Sequence, residues 1–257
     1  MESRKILIYL AVKYRGDWDA IYEAVKNRVL MKPQDIENTV STLSCNAITF
    51  FDKEYPEELK KIFRPPFVLF YEGNISLLNN GIRNKIAIVG TREPSAYSIS
   101  ALEKIVEGLN ENIVVVSGLA KGIDGYSHRF AIKYKRNTIA ILGSGLDYCY
   151  PIENEDIYNE IKEKHLLMSE YPPGVVPSQD KFPARNRIIM GLSKVVFVPE
   201  AKRRSGSMIT VALALDAGKD ILCLPSNNYV DSGCNLCIKN GAHLVENAED
   251  VNDFFDL

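Results

Sequence analysis

Short apolar runs alternate with longer amphipathic segments along most of the chain. Runs rich in valine and isoleucine predict β-strands that are covered on both faces, and the segments between them predict helices. The predicted strands are Ile86–Val89, Ile113–Val116, Thr138–Leu142, Leu166–Ser169, Lys194–Val198 and Asp220–Leu224. This alternation predicts an α/β fold built on a doubly wound, mostly parallel sheet with right-handed crossovers.

The N-terminal part of the chain has a different pattern. Its apolar residues recur at helical spacing: Ile21, Val25, Ile36, Val40 and Leu43. They predict a small helical domain over residues 1–47, with Pro33 at the start of its second element. Proline and glycine residues over 48–81 predict an extended connector that contains one strand, FVLFYEG, and leads into the α/β core over 82–257.

The composition narrows the class of protein. The chain has 257 residues and a formal net charge of −2, so any binding of nucleic acid requires a local basic patch. No apolar stretch approaches the roughly 20 residues that span a bilayer. The first residues, MESRKILIYLAVKYRGDW, lack the cleavage pattern of a signal peptide, so we expect a cytoplasmic protein that is not bound to a membrane.

The cysteines are odd in number and widely scattered: Cys45, Cys149, Cys223, Cys234 and Cys237. Without an export signal this pattern indicates free thiols rather than a disulfide framework. Cys234 and Cys237 have the spacing of half a zinc ribbon, but no second pair accompanies them. We therefore expect two small, partly buried residues on a helix and no metal site.

Glycines, hydroxyls and cations follow the predicted strands. Gly90-Thr91-Arg92 follows the first strand of the core, and the other strands end in similar loops. The carboxyl ends of parallel strands share one edge of the sheet, so these loops predict a cradle for phosphate groups. An arginine after a strand is by itself more often a surface residue, but here several such loops share its edge.

The segment SGLAKGID contains Ser117, Gly118, Lys121, Gly122 and Asp124. It predicts a tight strand-to-helix turn with Asp124 as the N-cap. The segment departs from both the Walker and the dinucleotide-binding patterns, so neither ATP hydrolysis nor NAD binding is supported. His128 follows Asp124 by one helical turn; without a recognisable nucleophile, a capping or loop-orienting role is favoured over general-base catalysis.

A second basic segment carries three cations, an amide and an aromatic ring where a loop is expected to enter a helix. It contains Lys181, Phe182, Arg185, Asn186 and Arg187. Arginines suit phosphodiester oxygens, and Phe182 suits stacking on an unpaired base. The alternative is a solvated helix start, which does not require an amide between two arginines.

A third basic segment, KRRSGSMIT, follows the predicted strand Lys194–Val198. It joins the cation Lys202 to the small residues Ser205, Gly206, Ser207 and Thr210. Backbone amides and hydroxyls at the start of a helix would bind one phosphate. A plain capping motif would need one serine and none of the preceding cations.

These motifs, taken in order, resemble the DNA-processing protein A family (DprA, also called Smf). The resemblance covers roughly residues 50 to 245, from DKEYPEELKKIFRPPFVLFYEGN through ILGSGLDYCYP and MSEYPPG to PEAKRRSGSMIT. It matches Arg92 to the arginine of the family's G-[ST]-R loop and the 117–124 turn to its SGxAxGID turn. It also matches residues 185–187 to the RNR segment and 205–207 to the SGS loop.

The resemblance implies an extended Rossmann-like core that binds single-stranded DNA, forms a homodimer and helps to load the RecA recombinase in natural transformation and homologous recombination. It implies binding without catalysis and without a cofactor. The phosphates would lie over Arg92, Lys121, Lys181, Arg185, Arg187 and Lys202. Sequence preference would be weak, because arginine–phosphate contacts carry no base information.

Two departures from the family pattern bear on this expectation. Pro225-Ser226 and NNYVDSG replace the usual Pro-Gly after the last core strand. Many members also carry a C-terminal winged helix, whereas this chain ends at Leu257, so we expect affinity to depend on the core and on dimerisation. The alternatives are a nucleotide hydrolase, with Glu170 or Glu200 as its acid, and a nucleotide-sensing module.

Overall fold

A computed structural model describes residues 2–79, 83–227 and 231–255. Its strands are β1 Asn46–Thr49, β2 Val68–Gly73, β3 Lys85–Ile88, β4 Val114–Ser117, β5 Thr138–Leu142, β6 Leu166–Ser169, β7 Val195–Val198, β8 Asp220–Cys223 and β9 His243–Leu244. Its helices are α1 Glu2–Lys13, α2 Trp18–Lys26, α3 Pro33–Ser41, α4 Ala96–Gly108, α5 Ile123–Lys133, α6 Glu155–Lys164, α7 Lys181–Gly191, α8 Gly206–Asp216, α9 Gly233–Lys239 and α10 Glu249–Asn252.

The strands form one sheet in the order β1-β2-β6-β5-β4-β3-β7-β8-β9. The neighbours from β6 to β9 in this order run parallel, whereas β1–β2 and β2–β6 are antiparallel. The predicted doubly wound, mostly parallel α/β sheet is therefore confirmed. The chain order reverses at β3, which lies between β4 and β7, and ligands of such sheets bind beyond the carboxyl ends of the strands at this position.

Helices cover both faces of the sheet, as the continuous apolar strands predict. On β3 the side chains alternate, so that Ala87 faces one layer while Ile86 and Ile88 face the other. Helices α7, α8 and α9 pack on the first face, and α1, α4, α5 and α6 pack on the second. Both faces of the sheet are buried in tightly packed apolar layers. The strand ends therefore form a rigid platform for the loops.

The predicted strands are confirmed in the core, with shifts of about one residue at their ends. The first begins at Lys85 rather than Ile86, and the last ends at Cys223 rather than Leu224. The hydrophobic pattern does not predict the two short edge strands β1 and β9. The segment FVLFYEG forms β2, which pairs with β6 and so joins the sheet.

The N-terminal segment is helical, as predicted, but contains three helices rather than two. Pro33 does begin a helix, and it is the third. Buried residues of α1, including Leu7 and Leu10, pack in the same cluster as Phe70 of β2. The division into three parts at 47 and 81 stays a prediction.

Candidate functional site

A cavity of about 370 Å³ opens at the carboxyl ends of β3, β4 and β5. We call it the strand-end crevice; its walls include Arg92, Gly118, Lys121, Tyr150, Phe182 and Arg185. Five of these six residues come from the predicted phosphate cradle and the second basic segment, which are far apart in sequence. Parallel topology brings them together, because each loop leaves its strand at the same edge.

Three side chains form a stack on one wall of the crevice. The Arg92 guanidinium carbon lies 5.7 Å from the centre of the Phe182 ring. The Phe182 ring in turn stacks on Tyr150, with centroids 5.6 Å apart and planes 18° apart. Arg92 and Tyr150 are both exposed, so the stack presents a cation and an aromatic ring to solvent.

Arg185 has a different position from Arg92, although both line the crevice. It is only 4% exposed, and its guanidinium donates hydrogen bonds to the carbonyl oxygens of Gly118 and Ile141. A Cβ atom at position 118 would collide with that guanidinium. Arg185 therefore ties α7 to the ends of β4 and β5, and glycine is required at 118 by this arginine.

The predicted N-cap role of Asp124 is wrong. Helix α5 begins at Ile123 after Gly122, and Asp124 lies buried in its first turn. Burial raises the pKa of Asp124, while nearby Arg185 and the backbone N–H groups of Gly118 and Gly90 act in the opposite direction. The carboxyl thus occupies two glycine amides that the sequence analysis assigned to a phosphate.

The glycines at positions 90 and 122 are also explained by neighbours within the protein. A Cβ at Gly90 would meet the side chain of Ile123, and one at Gly122 would meet the Thr91 carbonyl. Gly122 has a φ of 82°, a conformation that side chains rarely adopt. Thr91 accepts from the Ile123 amide at 3.1 Å and donates its own amide to Glu200 at 2.8 Å. These contacts hold the loops after β3, β4 and β7 in one arrangement.

Two further polar residues lie beneath the crevice. The Ser117 hydroxyl is buried and donates to the Ile88 carbonyl at 2.6 Å. His128 is fully buried, its Nδ1 lies 2.7 Å from the Thr138 hydroxyl, and burial lowers the pKa of its imidazole to about 3. A neutral, enclosed histidine fits the structural role that the sequence favoured over general-base catalysis.

Lys181 and Arg187 do not line the strand-end crevice. Both face a larger cavity of about 1140 Å³, enclosed by the α1–α2 turn, the segment after Glu57 and helices α7 and α8; we call it the helical-side cavity. There Arg187 pairs with Glu170 at 2.5 Å, and both side chains are about one-tenth exposed. The Lys181 ammonium bonds to the Ser178 hydroxyl. Two of the three cations of the second basic segment therefore lie on a different cavity from Arg92.

The third basic segment forms the loop between β7 and α8, which we call the basic loop (residues 202–207). Lys202, Arg203 and Arg204 are exposed, and no carboxylate of the described residues pairs with them. Ser205 is the N-cap of α8, but its hydroxyl donates to the Lys202 carbonyl instead of capping. Gly206 opens the helix with free space around its Cα, and Ser207 follows it, half-buried.

Asn186 and Thr210 do not face the basic loop's surface. Thr210 is 1% exposed, and its hydroxyl accepts a 2.8 Å hydrogen bond from the Asn186 amide. This pair joins α7 to α8. The expectation that Thr210 offers its hydroxyl to a phosphate therefore conflicts with its burial, and Asn186 acts between helices.

Two residues that shape the crevice were not predicted: Tyr150, which lines it, and Asn154, which bonds to the loop after β4. Tyr150 supplies the outer ring of the stack, and its position five residues after Gly145, in the loop that follows β5, was the only signal for it. Asn154 is buried and donates to the carbonyls of Leu119 and Ala120 at 3.0 and 3.2 Å. It holds Leu119 at a φ of 57°, a strained value for a branched side chain.

The two carboxylates considered as catalytic acids both have structural partners. Glu200 accepts hydrogen bonds from the amide and the hydroxyl of Ser95, the N-cap residue of α4, at 2.8 Å, and Glu170 pairs with Arg187. Within the described ranges, no group of three histidine, cysteine or acidic residues is placed to hold a metal ion. What the crevice offers chemically is cations, an aromatic stack and fixed backbone.

The departure after β8 falls partly outside the described residues, which omit 228–230. The Ser226 that replaces a glycine is held by Asn235, whose side chain accepts from its amide at 2.9 Å and donates to its carbonyl at 2.7 Å. No helix within residues 2–79, 83–227 and 231–255 is long and apolar enough to cross a membrane.

The family model of the DNA recombination-mediator protein A matches residues 46–256. The chain belongs to this family. DNA processing protein DprA of Streptococcus pneumoniae is 42% identical over 213 residues, or 82% of this chain and 74% of that protein. The Bacillus subtilis protein is 41% identical over 209 residues, or 80% of this chain and 70% of that protein.

Solved structures of family members have the same fold. The X-ray structure of DNA processing protein A from Streptococcus pneumoniae aligns with a TM-score of 0.78 at 35% identity, over 96% of this chain and 92% of that one. The Helicobacter pylori protein, whose structure concerns its single-stranded DNA binding mode, aligns with a TM-score of 0.74 at 31% identity, over 83% of this chain and 96% of that one. The family resemblance inferred from the sequence is confirmed.

Proposed function

We propose that this protein binds single-stranded DNA in the strand-end crevice and acts as a recombination mediator. The observation that supports the proposal most directly is the stack of Arg92 on Phe182 and Tyr150 at the topological switch point of the sheet. A cation beside an exposed aromatic face suits one phosphate and one unstacked base of a flexible strand. Membership in the recombination-mediator family supports the same reading.

The strand would run from the crevice toward the basic loop. Thr91, next to Arg92, donates its amide to the carbonyl of Glu200, and Lys202 of the basic loop lies two residues after Glu200. The strand-end crevice and the basic loop are therefore neighbours along the sheet edge. Arg92, Lys121 and the exposed cations of the basic loop would neutralise phosphates. With about four phosphates neutralised, log K would fall with log salt with a slope near −3 for a single strand.

A single strand fits this surface better than a duplex. The crevice holds about 370 Å³, and its aromatic wall is reached only by a base that has left its stack. In a duplex the bases face inward, and only the backbone would meet the cations. Binding should therefore discriminate by strandedness and only weakly by sequence.

The same reading extends to partners. We infer that the protein forms a homodimer, which would double the length of the DNA track, and that it loads the RecA recombinase onto the bound strand in natural transformation. The role is one of binding rather than catalysis, since Glu170 and Glu200 both have structural partners. Family membership and the cationic strand-end crevice support these inferences.

The test is fluorescence anisotropy of a labelled 20-mer of oligo-dT, compared with a duplex of equal length and with dTMP. We expect tight, salt-sensitive binding of the single strand and a loss of about tenfold or more in Arg92→Ala, because a charge-assisted contact is worth about 1.5–3 kcal/mol. Arg15→Ala is the matched control, since it removes an exposed arginine that lines the helical-side cavity.

Equal losses in the two variants would mean that the strand does not use the crevice. Binding or cleavage of dTMP without binding of the strand would overturn the proposal and favour a nucleotide hydrolase. Tight mononucleotide binding that is indifferent to strand length would favour a sensing module. Each outcome is read from the same set of titrations.

A further inference from the structure

Three of the five cysteines lie together, away from the crevice. Cys223 ends β8, and Cys234 and Cys237 lie one turn apart on α9, which packs on the same strand. The three are 0%, 1% and 8% exposed. Cys234 and Cys237 have the spacing of half a zinc ribbon, and the proposed function makes no use of them.

The thiols interact with one another. The three belong to one buried cluster, and the interaction with the Cys223 thiol lowers the pKa of Cys237. The same contacts, with burial, raise the pKa of Cys223. A thiol whose pKa is lowered by a neighbouring thiol is the more nucleophilic partner of such a pair at neutral pH.

Cys237 also has access from outside. It lines a surface cavity of about 240 Å³ between α8, α9 and the start of β9, large enough to admit a small oxidant. Cys234 has no such opening, and its thiol instead donates to the Val198 carbonyl at 3.3 Å. Of the three thiols, Cys237 is therefore the one that a solute reaches first.

We propose that Cys237 and Cys223 form a redox modification site, at which a peroxide oxidises Cys237 and Cys223 completes a reversible disulfide between β8 and α9. A metal site is not the explanation for the cluster, since no group of three ligands within the described ranges is arranged for one. Two features support this pair: the three thiols cluster between β8 and α9, and Cys237 lines a surface cavity.

The chemistry balances in two steps. The Cys237 thiolate attacks the peroxide, an S–O bond forms as the O–O bond breaks, and the departing oxygen takes up a proton to leave as water or an alcohol. The Cys223 thiolate then attacks the sulfenic sulfur, an S–S bond forms as the S–O bond breaks, and the hydroxide leaves as water with the proton from Cys223. Two thiols lose two electrons, and the peroxide gains them.

A protease that cleaves on the N-terminal side of aspartate places Cys223 and the two helical cysteines in different peptides. In the denatured chain it releases Cys223 in peptide 220–230 and both helical cysteines in peptide 231–249. Cys45 and Cys149 fall in peptides of their own, 35–51 and 147–155, and serve as internal references. The full-length protein is treated with a few equivalents of hydrogen peroxide, quenched by alkylation, digested and analysed by mass spectrometry.

We expect a cross-link between peptides 220–230 and 231–249 that forms before Cys45 or Cys149 is oxidised and is reversed by a dithiol. The cross-link should persist in Cys234→Ser and disappear in Cys237→Ser and Cys237→Ala, with circular dichroism checking that each variant folds. A disulfide confined to 231–249, or oxidation of Cys149 ahead of the three thiols, would overturn the proposal.

Formation of the disulfide should also weaken DNA binding, an expectation that rests on the proposed function. Helix α9 is joined to the basic loop, since the Gly233 amide donates to Ala201 at 2.7 Å and Ser232 pairs with Lys202. Oxidised wild type should bind the oligo-dT probe several-fold more weakly than reduced wild type, and Cys223→Ser should not respond. If the cross-link forms while the affinity stays equal, the modification site stands and its coupling to the basic loop is overturned.

Discussion

Two cavities share helix α7 and differ in charge. The helical-side cavity is about three times larger, at about 1140 Å³ against 370 Å³, yet basic and acidic side chains line it in equal numbers. Its cations include Arg187, paired with Glu170 at 2.5 Å, and Arg64, paired with Asp19 at 2.8 Å. The strand-end crevice sets Arg92, Lys121 and Arg185 against Glu153 alone among its described lining.

The larger of the two cavities is therefore not the one with an excess of positive charge. A polyanion gains little from cations that already have carboxylate partners, because those partners must first be displaced. The smaller crevice has unpaired charge, an aromatic stack and a rigid frame of loops. The predictions below test whether these properties, rather than size, decide where DNA binds.

The largest expected effect is on stability, through the contacts that hold the loops of the strand-end crevice in place; we call these contacts the frame. Replacing Arg185 with methionine removes the donors to Gly118 and Ile141 and leaves the buried Asp124 without its nearby cation. We expect the free energy of unfolding to fall by about 3–5 kcal/mol, as it does when one partner of a buried charge network is deleted. Denaturant unfolding at neutral pH measures it.

Arg92→Ala is the control within the same crevice. Arg92 is exposed, so its loss should change the free energy of unfolding by less than about 0.5 kcal/mol while DNA affinity falls. If Arg185→Met were as stable as Arg92→Ala, the two arginines would have the same role, and the distinction between frame and binding surface would be wrong.

A second effect on the frame depends on pH. His128 has a pKa near 3 in the folded protein, and an unfolded histidine has one near 6.5. Between these values the unfolded chain binds more protons, so the free energy of unfolding should fall as the pH drops, by about 1.4 kcal/mol per unit once well below 6.5. His128→Asn should remove this part of the slope.

Urea unfolding of the two proteins at pH 7, 6 and 5 gives the comparison, since contributions from other groups cancel in the difference. Parallel slopes would mean that His128 is protonated in the fold. The imidazole beneath the crevice would then be charged, and its contact with Thr138 would have to be reinterpreted.

A matched pair of aromatic substitutions compares the cavities directly. Phe182→Leu removes the ring between Arg92 and Tyr150, and Phe63→Leu removes a 79% exposed ring from the helical-side cavity. Base stacking on an aromatic side chain is worth about 1–3 kcal/mol, so Phe182→Leu should weaken oligo-dT binding by about tenfold. Anisotropy titrations should show no change for Phe63→Leu; the reverse order would assign the strand to the larger cavity.

The sequence predicted the parallel core because that signal is local and repeated. Strands such as Thr138–Leu142 and Leu166–Ser169 are buried along their whole length, as short runs of apolar residues between turn signals predict. Strand β9 has two residues and pairs with β8, and two residues are too few to show a period. Its place in the sheet depends on a partner that is distant in sequence.

For the site, residue type was predictable and burial was not. Arg92 and Arg185 were both assigned to phosphates, yet one is exposed and the other is enclosed by Gly118 and Ile141. Similarly, Arg187 belongs to another cavity because α7 turns it toward Glu170. One helix carries both arginines two positions apart, which places them on different sides, and the local sequence does not say which side faces the strand ends.

The smallest expected effect is on salt dependence. Lys121 is exposed on the crevice wall, and Lys61 is exposed on the wall of the helical-side cavity, so alanine at either position removes the same charge from comparable surroundings. If Lys121 neutralises one phosphate, its removal should make the slope of log K against log salt shallower by about 0.7 and weaken binding only a few-fold at physiological salt. Lys61→Ala should keep the wild-type slope. Titrations at four or five salt concentrations separate the two, because a general loss of net charge would shift both slopes equally, whereas a local contact shifts only one.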